Sequence, residues 1–400
     1  MQNSEAGQKK SGKTTVGIVT KEWPPAVYGG AGVHVVQLTE ALRKLTNIQV
    51  DVHCFGGART DGSFGYATPA EFAVANPALQ AIATDLAIAQ NLGGVDVIHS
   101  HTWYANMAGH TASLLYGTPH IVSAHSLEPL RPWKAEQLGG GYKISSWAEQ
   151  TAYEAAAAII AVSDGMRADV LKAYPNVDPA KVVTIRNGVD TSRFAPNADT
   201  SVLSEYGITG RYAMFVGRIT RQKGLAHLLR AWREVPAEFG LVLAAGSPDE
   251  PTIGNEVADL IAELQQSRKN VWWIKEMLPH EKLTAALTHA DLFLCPSIYE
   301  PLGIVNLEAM GCETAVLASR VGGIPEVVSH GNTGELVDYT ESDIPAFEAR
   351  LTEAITRLMS DPELLVKYGK AGRERAISEF GWDAVAATTL SLYQSVINQR

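Results

Sequence analysis

A chain of 400 residues, 46% of them hydrophobic, is too long for one ordinary core, so two domains of roughly 200 residues each are expected. Its net charge of −10 and pI near 5.6 exclude a broad electrostatic attraction to nucleic acid or to an anionic membrane surface. A small-molecule partner is the default that remains.

The N-terminus, MQNSEAGQKKSGKTT, is polar and has no apolar signal region, and no later stretch reaches the ~18 uninterrupted apolar residues of a membrane span. A cytoplasmic protein with a flexible tail over residues 1–13 is expected. Residues 7–14, GQKKSGKT, match the phosphate-loop pattern G-x-x-x-x-G-K-[ST] letter for letter. That loop works between a strand and a helix. Here only six residues precede it and the strand-like TVGIVT follows, so the match reads as chance. Cys54, Cys295 and Cys312 are odd in number and lack metal-ligand spacing, which suits small core thiols in a reducing compartment.

Strands are expected at 15–19, 50–55, 95–101, 120–125, 158–163 and 182–187. Helical stretches lie between them, such as 32–45, where Val35, Leu38, Leu42 and Leu45 recur at helical spacing. Apolar, β-branched runs separated by helices indicate a parallel sheet covered on both faces. The pattern restarts at 212–219 and continues through 241–247, 271–276, 291–297, 314–319 and 334–338. The polar stretch 190–207 divides the two series and reads as a connector with one short helix. The expected fold class is therefore α/β, with two doubly wound Rossmann-like domains facing across a cleft, at 14–195 and 196–380. From Asp361 onward the chain reads as helix, and its last part, about 381–400, is expected to pack back on the first domain.

In open α/β sheets ligands sit beyond the carboxyl ends of the strands. After the first strand comes KEWPPAVYGGAGVH, where Gly29, Gly30 and Gly32 open a helix, as a tight turn or as an anion site. GRITRQKG places Arg218 and Lys223 near a helix start, as a solvated basic turn or as a clamp for a diphosphate. SIYEPLGIVNLEAM carries Glu300 and Glu308, with the amides of Gly303, Ile304 and Val305 at or near a helix N-terminus. Glu300 precedes that helix and Glu308 lies about one turn inside it. They suit ligand hydroxyls better than the ~5–5.5 Å acid and nucleophile pair of a retaining glycosidase.

GRITRQKG, the E-x7-E segment YEPLGIVNLE, YGGAGVH, RNGVD (186–190) and GGIPEVV (322–328), in this order, resemble a retaining glycosyltransferase of the GT-B fold, family 4. The resemblance runs from about residue 15 to the C-terminus. In the first domain VDVHC, HSHTWY and SAHSLEPLRPWKAEQLGGGY resemble the actinobacterial glycogen synthase and α-maltose-1-phosphate synthase type. The resemblance implies transfer of glucose from ADP-glucose, with retention, to glucose 1-phosphate or to an α-1,4-glucan. It implies that Arg218 and Lys223 bind the diphosphate and that Glu308 accepts from the donor ribose. Glu300 would lie near the donor sugar hydroxyls, Gly30 in the loop approaching the diphosphate, and His125 close to the reacting carbon.

Glycogen synthases of the bacterial type carry Lys-x-Gly-Gly and usually glutamine at the second E-x7-E position, whereas this chain has Tyr28-Gly29-Gly30 and Glu308. There is no Asp-x-Asp, so no metal is expected at the diphosphate and the two cations would do its work. Arg131 and Lys134, in LEPLRPWK after His125, read either as a basic surface loop or as the site for the acceptor phosphate. The leading expectation is maltose 1-phosphate synthesis. Glucan elongation from ADP- or UDP-glucose is the alternative within the class, and a GT-B sugar-nucleotide epimerase is the alternative from another class. Oligomeric state stays open, a homodimer being one option.

Overall fold

The computed structural model describes residues 13–27, 29–132 and 134–399. The expected tail and its GQKKSGKT stretch, apart from Lys13 and Thr14, lie outside the described residues, as do Tyr28 and Trp133. The chain forms two compact units. The first holds the residues up to Ala161, Arg167–Ile185 and the segment from Trp382; the second holds Val162–Met166 and Arg186–Gly381. The long continuous run of the second unit is Arg186–Gly381.

The first unit is built on β1 (Thr14–Thr20), β2 (Ile48–Phe55), β3 (Phe64–Tyr66), β4 (Val97–His101), β5 (His120–Ala124), β6 (Ala158–Ala161) and β7 (Val182–Thr184). All pair in parallel, in the order β3-β2-β1-β4-β5-β6-β7. Alternation along β1 divides its side chains between two cores. Val16 and Ile18 join Leu38 and Leu42 of helix Gly30–Arg43 and Tyr393 of the terminal helix Trp382–Asn398. Val19 joins Ile88 of helix Pro77–Ala89 and Ala105, Ala108 and Ala112 of helix Trp103–Tyr116. Helices on both faces explain why the strands read as continuous apolar runs rather than alternating ones. Strand β3 was not anticipated. It is a three-residue FGY segment at the sheet edge, too short to carry a periodic signal.

The second unit repeats the plan with β8 (Tyr212–Ile219), β9 (Gly240–Pro248), β10 (Val271–Ile274), β11 (Leu292–Cys295), β12 (Ala315–Ser319) and β13 (Gly334–Val337). They are parallel, in the order β10-β9-β8-β11-β12-β13. Its core centres on Trp232, Leu241, Leu292, Phe347 and Ile355. Cys54, Cys295 and Cys312 are free and buried. Among the described residues no helix is long and apolar enough to cross a membrane.

After β8 the chain makes a 3-10 turn, Arg221–Lys223, and enters helix Leu225–Trp232 through Gly224 at φ +65°. A Cβ on Gly224 would stand 1.9 Å from the carbonyl oxygen of Pro296, just past β11, so the turn is pressed against the neighbouring strand end. Gly224→Ala is expected to cost about 1–3 kcal/mol from the left-handed backbone alone, with the collision added. A thermal melt should register this as a clear fall in Tm.

Candidate active site

Strand order reverses at β1/β4 in the first sheet and at β8/β11 in the second, and loops leaving the carboxyl ends of such strand pairs diverge to opposite faces and open a crevice. Gly29, Gly30, Arg218, Lys223, Glu300 and Glu308 follow or end these strands, whereas His125, Arg131 and Lys134 follow β5, the neighbour of β4.

In the second unit Arg218 lies within β8, not in the helix start expected for it, and its guanidinium pairs with Asp249, just after β9. Lys223 ends the 3-10 turn and its Nζ is 2.6 Å from Oε2 of Glu300. Glu300, 7% exposed, follows β11 and also faces the Ser297 hydroxyl at 3.4 Å. Burial opposes the charge on Lys223, yet Glu300 and the neighbouring Cys295 outweigh it and raise its pKa. Gly303, at φ +96°, caps helix Ile304–Gly311 without a side-chain cap, so the amides of Gly303, Ile304 and Val305 lie at this N-terminus as expected. Glu308 lies one turn inside. Burial pushes its carboxyl up to about 7, against the pull of the Lys223 ammonium.

The remaining motifs brace this loop. The Gly323 amide donates to the Glu300 carbonyl at 3.0 Å. Arg186 of RNGVD pairs with Glu326 of GGIPEVV and with Asp164, each at 2.7 Å.

In the first unit Gly29 caps and Gly30 begins helix Gly30–Arg43. The Gly29 amide donates to Oε2 of Glu22 at 2.8 Å. A Cβ on Gly32 would lie 2.5 Å from the same carboxylate, whereas one on Gly30 would meet nothing within 4 Å. The chain itself therefore requires glycine at 32, and at Gly30 it leaves open space.

His125, directly after β5, holds its Nε2 3.0 Å from Nδ1 of His101 at the end of β4. His34 lies edge-on to His125 with ring centroids 4.6 Å apart. His99 is held between the Tyr393 hydroxyl at 2.7 Å and the Ser123 hydroxyl at 2.8 Å. Burial, and then mutual repulsion, keep His99, His101 and His125 well below the usual histidine range, so these rings are neutral. His34, His101 and His125 each offer a ring nitrogen within 4.8 Å of the others, a grouping with the donors to hold a metal ion.

Of the expected acceptor cations, Arg131 donates to the Ser126 hydroxyl at 3.0 Å. Lys134, expected in a loop, instead begins the short helix Lys134–Leu138 and is only 6% exposed, with its Nζ 5.6 Å from the centre of the Tyr104 ring. The segment after His125 is pinned from below. Oε1 of Glu149 accepts from the Glu128 amide at 2.7 Å and from the Tyr174 hydroxyl, while Oε2 of Glu128 accepts from Ser145 at 2.6 Å.

Sequence reasoning missed His34, His101, Glu22 and Asp249. For His101 a signal existed, because the HSH alternation at a strand end aims both histidines to one face. Asp249 offered no signal beyond its position after a strand.

Two doubly wound parallel-sheet units with ligand-type loops at both switch points are the plan of the GT-B fold. Residues 28–193 match Glycosyltransferase Family 4 and residues 206–375 match Glycosyl transferases group 1. The chain is 54% identical to the α-maltose-1-phosphate synthase of Mycolicibacterium smegmatis, over 95% of this chain and 99% of that one. It is 31% identical to a D-inositol 3-phosphate glycosyltransferase 2 of Catenulispora acidiphila, over 76% of this chain and 72% of that one. The sucrose-phosphate synthase of Thermosynechococcus elongatus shares the fold, with a TM-score of 0.79 at 23% identity, covering 97% of this chain and all (100%) of that one. The chain belongs to the family 4 glycosyltransferases of the α-maltose-1-phosphate synthase type.

Burial and the neighbouring Glu128 push the Glu149 carboxyl up to about 8 from its ordinary 4.5. The folded chain thus holds this proton more tightly than the unfolded chain. The associated stability is complete below about pH 4.5 and is lost as pH rises through about 8. Glu149→Gln keeps the acceptor oxygen without the ionisation. Its Tm is expected to fall less than that of the wild type between pH 6 and pH 9, as scanning calorimetry would show.

Proposed function

We propose that this glycosyltransferase moves glucose from ADP-glucose, with retention and without a metal, to glucose 1-phosphate, forming α-maltose 1-phosphate for α-glucan and glycogen synthesis. The observation that carries the reading is the convergence of Arg218, Lys223, Glu300, Glu308 and the uncapped helix start at Gly303 on one switch point, joined to the 54% identity with a synthase named for this product.

Arg218 and Lys223 neutralise charge developing on the departing diphosphate, a task a bound metal otherwise performs. Each is held by a carboxylate in the free chain, Asp249 and Glu300, so both arrive oriented. Glu308 accepts from the ribose hydroxyls and Glu300 from those of the donor sugar, next to the amides of Gly303, Ile304 and Val305. Gly29 and Gly30 give the donor phosphates close access to backbone, which the open space at Gly30 supports.

No side chain is assigned as covalent nucleophile. The acceptor O4 bonds to the donor C1 as the C1–O bond to phosphate breaks, and the acceptor proton passes to the leaving phosphate oxygen. His125, neutral and oriented by His101, donates to the donor sugar beside the reacting carbon. Arg131 and Lys134 hold the acceptor phosphate.

Incubation with ADP-glucose in EDTA, with glucose 1-phosphate and glycogen offered separately, is expected to yield maltose 1-phosphate and little labelled glycogen. Labelling of glycogen alone would make the chain a glucan synthase.

Glu308 supplies a pH test. With its carboxyl titrating about 7, the form that accepts two ribose hydroxyls is gained as pH rises. ADP is expected to bind up to ~10-fold more tightly at pH 8 than at pH 6, and Glu308→Gln to flatten that dependence in calorimetric titrations.

A further inference from the structure

Three elements of the first unit each bring one histidine to a common point. His34 lies near the start of helix Gly30–Arg43, His101 ends β4 and His125 follows β5. One ring nitrogen of each lies within 4.8 Å of the others. The ring centroids stand 4.6 Å apart for His34 and His125, 5.3 Å for His101 and His125 and 5.5 Å for His34 and His101. An ion held tetrahedrally at about 2.0–2.1 Å by imidazole nitrogens spaces those nitrogens ~3.3 Å and the ring centres ~5 Å apart. The three rings already stand at that separation, and Nδ1 of His101 and Nε2 of His125, 3.0 Å apart, are close to the required spacing. Turning the rings in place is enough to aim their nitrogens at one ion.

Packing leaves part of this cluster's hydrogen bonding unmade. His101 is wholly buried, its Nδ1 meets another imidazole, and its Nε2 has no hydrogen-bond partner among the described residues. A buried polar atom in that state carries a desolvation cost that an apolar side chain in the same place would not. Behind the cluster His99, fixed between the hydroxyls of Tyr393 and Ser123, packs on His101 with centroids 4.1 Å apart and limits how far that ring can tip. Such outer support is what keeps a ligating imidazole oriented. His34 and His101 are buried whereas His125 is partly exposed, so the cluster has a solvent-facing side through which an ion enters and where water or an anion completes four-coordination.

We propose that His34, His101 and His125 form a three-imidazole site for a borderline divalent transition-metal ion, Zn2+ being the representative, and that the bound ion blocks glucosyl transfer by taking the His125 nitrogen. Imidazole donors favour this class over Mg2+ and Ca2+, which prefer oxygen. The site stands on its geometry, and the block rests on the reading that places His125 at the donor sugar. The ion is an inhibitor and not a cofactor, and the donor diphosphate remains the task of Arg218 and Lys223.

Binding can be read without turnover, by competition for Zn2+ between a chromogenic chelator and the full-length wild type, H34Q, H101Q or H110Q. His110, on helix Trp103–Tyr116, lies outside the cluster. Wild type and H110Q are expected to bind one ion with equal Kd, and H34Q and H101Q to bind it ~100-fold or more weakly. Co2+ in the wild type should show the strong visible bands of a four-coordinate ion, and H34Q should lose them. Circular dichroism and Tm establish that each variant is folded, and H34Q stands in if H101Q is not. Failure of the wild type to bind one ion, or equal Zn2+ affinity in the wild type and a folded H34Q or H101Q, overturns the site. Zn2+ is expected to suppress transfer from ADP-glucose over the concentrations that fill the site, and EDTA to restore it. A filled site with undiminished transfer overturns the block and the place given to His125. Zn2+ binding that depends on His34, in a protein that makes no maltose 1-phosphate even in EDTA, supports the site and overturns the proposed reaction instead.

Discussion

Parallel pairing is the constraint on which both units depend. In an all-parallel sheet every strand ends at the same edge, so residues far apart in the chain meet wherever their strands are neighbours. The pairing of β4 with β5 sets His101 and His125 side by side. The pairing of β8 with β11 brings the turn carrying Lys223 against the loop carrying Glu300, and Gly224 presses that turn onto Pro296. None of these residues selects the others directly. Backbone hydrogen bonding does so.

Desolvation then decides the state of each group. Lys223 and Glu300 are both largely buried and each is tolerated because the other is present, at 2.6 Å. The histidines of the first unit meet the same cost by staying neutral, through burial and mutual repulsion, and so remain available as hydrogen-bond donors and acceptors. Glu149 meets it by keeping its proton, which lets it support the Glu128 amide beneath the segment that follows His125. Three kinds of ionisable group thus reach three solutions, set by whether an opposite charge is within reach.

The fold was legible because its signal repeats. Apolar runs such as YAMFVGRI coincide with β8, and the helix expected at 32–45 appears at Gly30–Arg43. The end of the chain reads as helix and forms two, Pro362–Glu379 and Trp382–Asn398, which part around Gly381. Where the signal is short it fails, as at β3. The candidate residues were legible where a glycine or an ionisable side chain stands at or just after a strand end, as with Gly29, Gly30, Arg218, Lys223, Glu300 and His125. It was not legible where a role depends on a partner from another loop, as with Glu22 at Gly29 or Asp249 at Arg218. Lys134 shows the same limit. Its place after a strand end suggested a loop, and its approach to Tyr104 and its burial follow from the way helix Trp103–Tyr116 and the segment after β5 come together.

The sequence by itself determined the two doubly wound units, the strand ends where chemistry gathers and the family to which the chain belongs, because periodicity and motif spacing are local properties written residue by residue. Only the tertiary structure decided that Lys223 is held by Glu300 and that four histidines share one buried cluster. Those pairings depend on which strands become neighbours and on how much water each pair loses, and both are properties of the folded whole.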